Sequence, residues 1–159
     1  MSDLISDGNI KVAWVTSIAS ISAPTAAELG AGNDWTARLT PDGLKTDPTT
    51  AEVATSSLAS QFDTGVPGRR AYVTEVTFKR GTTPTEDQPY TTLSYGTTGY
   101  LVVRRGTPYA TAFATGDRVE VYPVAAKEPQ NIAPVANEVL KVMVALTVTS
   151  DPATKAIVA

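Results

Sequence analysis

Histidine and cysteine are both missing from this 159-residue chain. Without cysteine there is no disulfide, no thiolate nucleophile and no zinc–sulfur site. Without histidine the commonest general base and the commonest metal ligand are gone. Neither a Ser–His–Asp nor a Cys–His arrangement can be built from this chain. Basic residues are outnumbered, 13 to 16, and the net charge of −3 predicts no general electrostatic affinity for nucleic acid. Aromatics are sparse at 7%. There is no long hydrophobic run either. The apolar stretch from Ile10 to Ile21 is broken by Lys11, Thr16, Ser17 and Ser20, and it falls short of the roughly 20 residues that span a bilayer. The opening MSDLISDG is acidic and polar, without the cationic start and apolar run of a signal peptide. These features predict a protein made and kept in the cytosol unless something else carries it out, with no membrane partner.

What the chain does have is alternation. Asn137–Ser150 (NEVLKVMVALTVTS) is its longest clean run of period two. Leu140, Val142, Val144, Leu146 and Val148 fall on one side of an extended backbone. Val139, Lys141, Met143, Ala145, Thr147 and Thr149 fall on the other. Burying the first set is worth up to about 8–15 kcal/mol, comparable to the net stability of a domain. This strand is therefore expected at the centre of a core. Its second face is small and polar with one charge, Lys141, and should meet water or another subunit.

A chain of this length predicts one domain, residues 1–159, able to bury a single core without staples. Residues 1–9 read as a flexible lead-in and Ile10–Thr16 as a first strand. The connector Ser22–Gly30 carries a capping-box pair, Thr25 and Glu28, sufficient for one helical turn. Trp35–Thr40 reads as a strand ending in a Pro41-Asp42-Gly43 turn, followed by an extended or looped Leu44–Val53. Thr55–Phe62, with Leu58 and Phe62 four residues apart, is the best helix candidate. Pro67-Gly68 should turn the chain into a long strand, Arg69–Arg80, with Tyr72, Thr74, Val76 and Phe78 facing one way. Residues 81–98 read as a long polar loop, the kind that is functional or disordered. Gly99–Gly106 and Asp117–Pro123 are further strands, Ala125–Ala136 is a crossing segment, and residues 151–159 are a tail. The fold class expected is mainly β: an antiparallel β-sandwich or partly open barrel of about six or more strands with one short flanking helix.

Chemistry is hard to find. Gly30-Ala31-Gly32 lacks the third glycine and the strand of a nucleotide loop. No nucleophile elbow and no calcium-loop spacing occur. Glu75, Glu120 and Glu138 could furnish a hydrolase carboxylate pair, yet nothing in the sequence aims any two across a cleft, and solvated or paired charges are the simpler reading. The doublets Arg69-Arg70 and Arg104-Arg105 each send one arginine to either side of a strand. They are not interleaved with aromatics as a stacking platform for nucleic acid requires. Salt-bridged arginines, or arginines that meet the acidic loop Glu86-Asp87 of another subunit, fit better. No catalytic residue, metal ligand or cofactor is expected.

Several stretches together resemble the tail tube (major tail) proteins of long-tailed, non-contractile bacteriophages, closest to those infecting actinobacteria. They are Pro67-Gly68-Arg69-Arg70 running to Phe78-Lys79-Arg80, Gly99 to Gly106, Val119 to Val124, and Asn137 to Pro152, in that order across residues 35–159. The resemblance implies a structural virion protein made in the host bacterial cytoplasm. It implies β-sandwich subunits joined edge to edge into rings, usually hexameric, whose inner strands merge into a shared barrel. Rings would stack into a tube through which genomic DNA passes without sequence recognition. The partners implied are further copies of the chain and other tail proteins such as the tape measure, tail terminator and distal tail protein. An open strand edge templates pairing, so Asn137–Ser150 or Arg69–Arg80 is expected to pair across a subunit boundary. Lys141, Arg69, Arg105, Glu86 and Asp87 are the candidate inter-subunit contacts. The alternative is a monomeric β-sandwich binding module, for instance for carbohydrate, which would need a cluster of exposed aromatics.

Overall fold

The computed structural model describes residues 2–159. Nine antiparallel strands form one curled sheet: β1 (Ile10–Val15), β2 (Asn33–Asp34), β3 (Leu39–Ala54), β4 (Gly65–Lys79), β5 (Thr98–Arg105), β6 (Arg118–Ala126), β7 (Gln130–Asn131), β8 (Lys141–Val148) and β9 (Ala153–Ile157). Their order is β2-β1-β5-β6-β8-β4-β3, with β7 added to β8 and β9 to β6. Two short helices, α1 (Ala26–Gly30) and α2 (Gln88–Thr92), and a 3-10 turn at Thr36–Arg38 complete the chain. This is the partly open, mainly β fold expected, with seven strands longer than two residues and a second helix that the sequence did not suggest.

The sheet curls around its main core. Val12, Trp14, Leu101, Val103, Tyr122 and Val124 on one wall meet Val76, Phe78, Val142, Val144 and Leu146 on the other. Trp14 stacks on Trp35 with ring centroids 5.6 Å apart, and Phe78 meets Trp35 edge-on at 5.5 Å, a geometry that aromatic quadrupoles favour. Gly99 lies against the Trp14 ring, in space that any Cβ would occupy. The back of β1, β5 and β6 is covered by a second core, in which Ala13, Val15, Val102, Val119 and Val121 pack on Leu29, Phe113, Ala156 and Val158. The β5 run from Leu101 to Arg104 is accordingly buried on both sides. By contrast, the back of β4 and β8 has nothing over it.

The expected alternation of β4 holds. Tyr72, Thr74, Val76 and Phe78 turn inward, and Val73, Glu75, Thr77 and Lys79 turn outward. In β8, Val142, Val144 and Leu146 are buried as expected. The strand begins at Lys141 instead of Asn137, because Asn137 takes a left-handed conformation (φ 64°) that interrupts extension. Leu140 is left exposed. The Thr25–Glu28 capping box forms in full and starts α1.

Five expectations fail, the first four for local reasons. Of Trp35–Thr40 only Leu39 and Thr40 are extended, as the start of β3. The Asp34 carboxylate accepts from the Thr36 amide at 3.0 Å and its hydroxyl at 2.6 Å, an aspartate turn that tightens Thr36–Arg38 into a 3-10 turn. Pro41-Asp42-Gly43 is not a chain reversal but a bulge within β3, where Leu39 to Leu44 matches only Phe78 to Val76. Pro67-Gly68 likewise lies inside β4, paired with Glu52 on an exposed stretch that tolerates a missing N–H. No helix forms over Thr55–Phe62. Side-chain hydroxyls take the backbone bonds instead: Ser60 accepts from the Ser57 amide at 2.9 Å, and Ser56 from the Thr64 amide at 3.0 Å. Finally, the tail expected at residues 151–159 contains β9, antiparallel to β6.

Candidate functional site

β3 and β4 make a hairpin far longer than the body it grows from. Its lower part, from Leu44 to Thr46 and from Thr74 to Phe78, is built into the barrel; beyond Asp47 and Val73 it projects as a two-stranded arm. On the arm every residue of β3 from Thr49 to Ala54 is exposed. The outer margin of β3 pairs with no strand among the described residues, and β4 is open on its other side over Gly65–Val73, since β8 reaches only Thr74. The loop at the tip carries Leu58, 108% exposed, and Phe62, 80% exposed. Where β8 leaves β4, a groove of 560 Å³ opens between Arg70–Glu75 and Ala145–Pro152. The Arg70–Asp151 ion pair, at 2.9 Å, bridges these two segments.

This arrangement corrects the expected open edge at Asn137–Ser150. β8 lies inside the sheet, flanked by β4 on one side and by β6 and β7 on the other. It carries no proline and only one charge, Lys141 at its start, and its neighbours already occupy its margins. The open margins belong to β3, which carries Pro41 and Pro48, and to the upper half of β4, which carries Pro67 and the two arginines. Proline and charge are how sheets blunt an exposed edge. In the sequence the same prolines are equally compatible with turns, at Pro41 and Pro67, and with a helix block, at Pro48.

The candidate contact residues are dispersed. Arg69 is exposed on the open half of β4, and no acidic group among the described residues lies within ion-pair range of it. Arg105, at the end of β5, donates to Glu120 at 2.6 Å, and Tyr122 donates to the same carboxylate at 2.8 Å. Burial, aided by that negative charge, pushes the Tyr122 phenol up to about 12. Lys141 sits on the uncovered back of β8, 3.0 Å from Glu138. In register it stands opposite Lys79, as Lys45 stands opposite Glu75. Glu86 and Asp87 lie together before α2, but their roles differ. Glu86 is exposed, and its carboxylate accepts from the Thr82 hydroxyl, which holds its pKa below the usual range. Asp87 accepts from Arg80 Nε at 2.7 Å and Nη2 at 2.9 Å, and this lowers its pKa. Arg80 also donates to Asn131 at 2.9 Å and stacks over Tyr90 at 3.8 Å. The loop at residues 81–98 is thereby fastened to β4 and β7 of its own chain.

Arg104 is salt-bridged, to Asp117, as one of the readings of the doublet has it, but inside the molecule and not on its surface. It is 1% exposed. It donates to the Pro108, Thr111 and Ala112 carbonyls and to Asp117, at 2.7–3.1 Å, and so holds the β5–β6 loop closed. The sequence did contain a clue: Arg104 is in phase with Val102, on a strand apolar on both faces.

No group of acidic side chains that could hold a metal ion occurs among the described residues. The surfaces that set this fold apart are open strand margins and an uncovered sheet face, features of a structural β protein more than of a cleft that gathers reactive groups. The profile of a family described as phage tail tube protein matches residues 1–159, and the chain belongs to that family. It is a structural subunit of a phage tail tube and a component of the virion tail. Among solved structures it is similar to the SPP1 tail tube, determined by solid-state NMR and cryo-EM. There the TM-score is 0.61 at 12% identity over 98% of this chain and 81% of that one. It is also similar to a chain of the 6-fold symmetrised baseplate of the anti-feeding prophage. In that case the TM-score is 0.59 at 10% identity over 96% of this chain and 95% of the other. At these identities the likeness is one of fold. No curated protein sequence matches the chain.

Proposed function

We propose that copies of this subunit join margin to margin into rings, and that the rings stack into a tube through which genomic DNA is delivered. The observation that carries this is the arm with two open margins beside an uncovered sheet face. β3 and β4 are antiparallel. If every copy points the same way around an axis, the β3 margin of one copy meets the open half of β4 in the next. Each new neighbour is then antiparallel too, and a head-to-tail contact of this kind closes into a ring. Charge supports this joint, since β3 carries Glu52 and the open half of β4 carries Arg69, neither of them ion-paired among the described residues. Six copies per ring is the number the 6-fold baseplate homologue favours.

In such a ring the back of β3, β4 and β8 forms the inner wall. It presents Lys45, Asp47, Val73, Glu75, Thr77, Lys79, and then Lys141, Met143, Ala145 and Thr147. Apart from Val73 and Met143 these residues are small or polar, and three lysines face two carboxylates, a net of +1 per copy. Such a wall has little net attraction for phosphate and suits a conduit along which DNA slides. Lys141 belongs to this wall, while Arg69 belongs to the joint between copies. Arg105 and Asp87 are engaged within their own chain, which leaves the exposed Glu86 as the one of the three free to meet another copy or another tail protein, such as a tape measure, tail terminator or distal tail protein. A monomeric sugar-binding module finds no support, because Trp14 and Trp35 are both core residues.

Negative-stain microscopy of the purified protein, with virions as reference, tests the proposal. Rings or hollow tubes are expected. Compact monomers under every condition, together with absence of the chain from particles, would overturn it.

A further inference from the structure

β8 leaves β4 abruptly. Their last paired residues are Thr74 and Leu146. From there β8 follows β6 instead: Thr147 pairs with Ala125 and Val148 with Val124, and the Thr149 amide donates to the Pro123 carbonyl at 2.9 Å. The two strands diverge, and the 560 Å³ groove is the wedge between them. Its β4 wall is the margin from Arg70 to Val73, which has no strand beside it. Its other wall runs to Asp151 and Pro152, just before β9 is fixed to β6 through Ala153 and Val121. Past the last β4–β8 pair, one hydrogen-bonded contact crosses the wedge among the described residues: Arg70 Nη2 donates to Asp151 Oδ2 at 2.9 Å. The two side chains are 57% and 69% exposed.

We infer that the Arg70–Asp151 pair is a latch on the β4 margin, closed in the free subunit and opened when β3 of the next copy docks. This deepens the proposed lateral joint, on which it rests. The open margin of β4 has two parts. Over Gly65–Arg69 nothing stands beside it, and β3 of a second copy can pair there at once. Over Arg70–Val73 an incoming strand meets Asp151, bonded to Arg70 across the mouth of the wedge. A strand needs about 4.7–4.9 Å beside its neighbour, so no backbone passes between Arg70 and Asp151 while they are bonded. Releasing the pair lengthens the available margin from Gly65–Arg69 to Gly65–Val73, and the wedge receives the added strand. The occupant follows from the wall itself, because a strand margin without a partner is completed by another strand, and the adjoining part of this margin faces the next copy's β3. The pair is also suited to release. An exposed ion pair contributes little, since each charge regains water when the two part. The closed latch therefore works against lateral joining without being costly to open.

The full chain serves for the test. Asp151→Ala removes the latch without altering β3 or β4. Its circular dichroism spectrum should match that of the parent, while the lag before light scattering rises is expected to shorten about two- to fivefold. An unchanged or longer lag would overturn the inference. Because the chain has no cysteine, Arg70→Cys with Asp151→Cys can be locked shut by a bis-maleimide that carries a cleavable disulfide. The locked subunit should fail to elongate, each single variant capped with N-ethylmaleimide should assemble, and reduction of the linker should restore assembly of the double variant. Locked protein that assembles as fast as the reduced form would count against the latch. Failure of the unmodified chain to form rings or tubes under any condition would instead sink the lateral joint, and the latch with it.

Discussion

Arg80 and Asp87 form a two-pronged ion pair, 2.7 and 2.9 Å, that ties the segment after β4 back onto the strand it leaves. The sequence predicts that the acidic doublet Glu86-Asp87 reaches another subunit. Half of it, Asp87, is engaged at home. A carboxylate held by two charged donors resists protonation. Its contribution to stability is present above its unfolded-state pKa and is lost as pH falls through the lower, folded value. Asp87→Asn is expected to destabilise the subunit by about 1–2 kcal/mol at neutral pH. It should also flatten the loss of stability on acidification below about pH 4. Urea unfolding followed by tryptophan fluorescence at several pH values checks this. An equal acid loss in both proteins would mean that the pair contributes little.

The neighbouring arginines of β5 should behave unlike one another. Arg104→Met removes a buried charge bonded to three carbonyls and Asp117, and should cost about 3–5 kcal/mol. Arg105→Gln breaks one partly exposed ion pair with Glu120 and should cost no more than about 1 kcal/mol. Thermal melts of the two variants give the comparison. Similar melting points would contradict the burial of Arg104.

Thr74 offers a stabilising substitution. Its hydroxyl is buried on the inner side of β4 with no hydrogen-bond partner, opposite Leu146. Thr74→Val keeps the β-branched shape and removes the unpaired group, so a gain of about 1 kcal/mol is expected. A loss measured by denaturant titration would indicate that the hydroxyl has a partner in solution, such as a water.

Lys141 tests the uncovered face. Val144→Asp, on the other side of the same strand, puts a charge in the core and should give insoluble protein. Lys141→Glu should fold normally, because it only exchanges the surface pair with Glu138 for a repulsion. It also reverses a charge on the proposed inner wall. Retained solubility with altered salt dependence of assembly is expected. A misfolded Lys141→Glu protein would show that this face is covered after all.

Alternation was a reliable guide wherever packing sorted the side chains. In β4 and β8 a period of two marked the inward residues, because a strand beside a core must present them on every second position. The capping box before α1 was equally legible, since its bonds are local. Leu58 and Phe62 misled because their helical spacing had no core to face, and an isolated helix that short does not hold. The prolines of β3 and β4 misled in another way. A proline marks a turn or an edge strand with equal right, and only strand pairing tells which.

Composition and pattern alone excluded histidine and cysteine chemistry, established a β protein, and identified its inward strands, since these follow from what each side chain can do and from local geometry. Which strands lie inside the sheet and which stay open was decided by the tertiary structure. An edge is defined by the absence of a neighbour, and neighbours as distant in sequence as β4 and β8 are assigned only when the whole sheet curls.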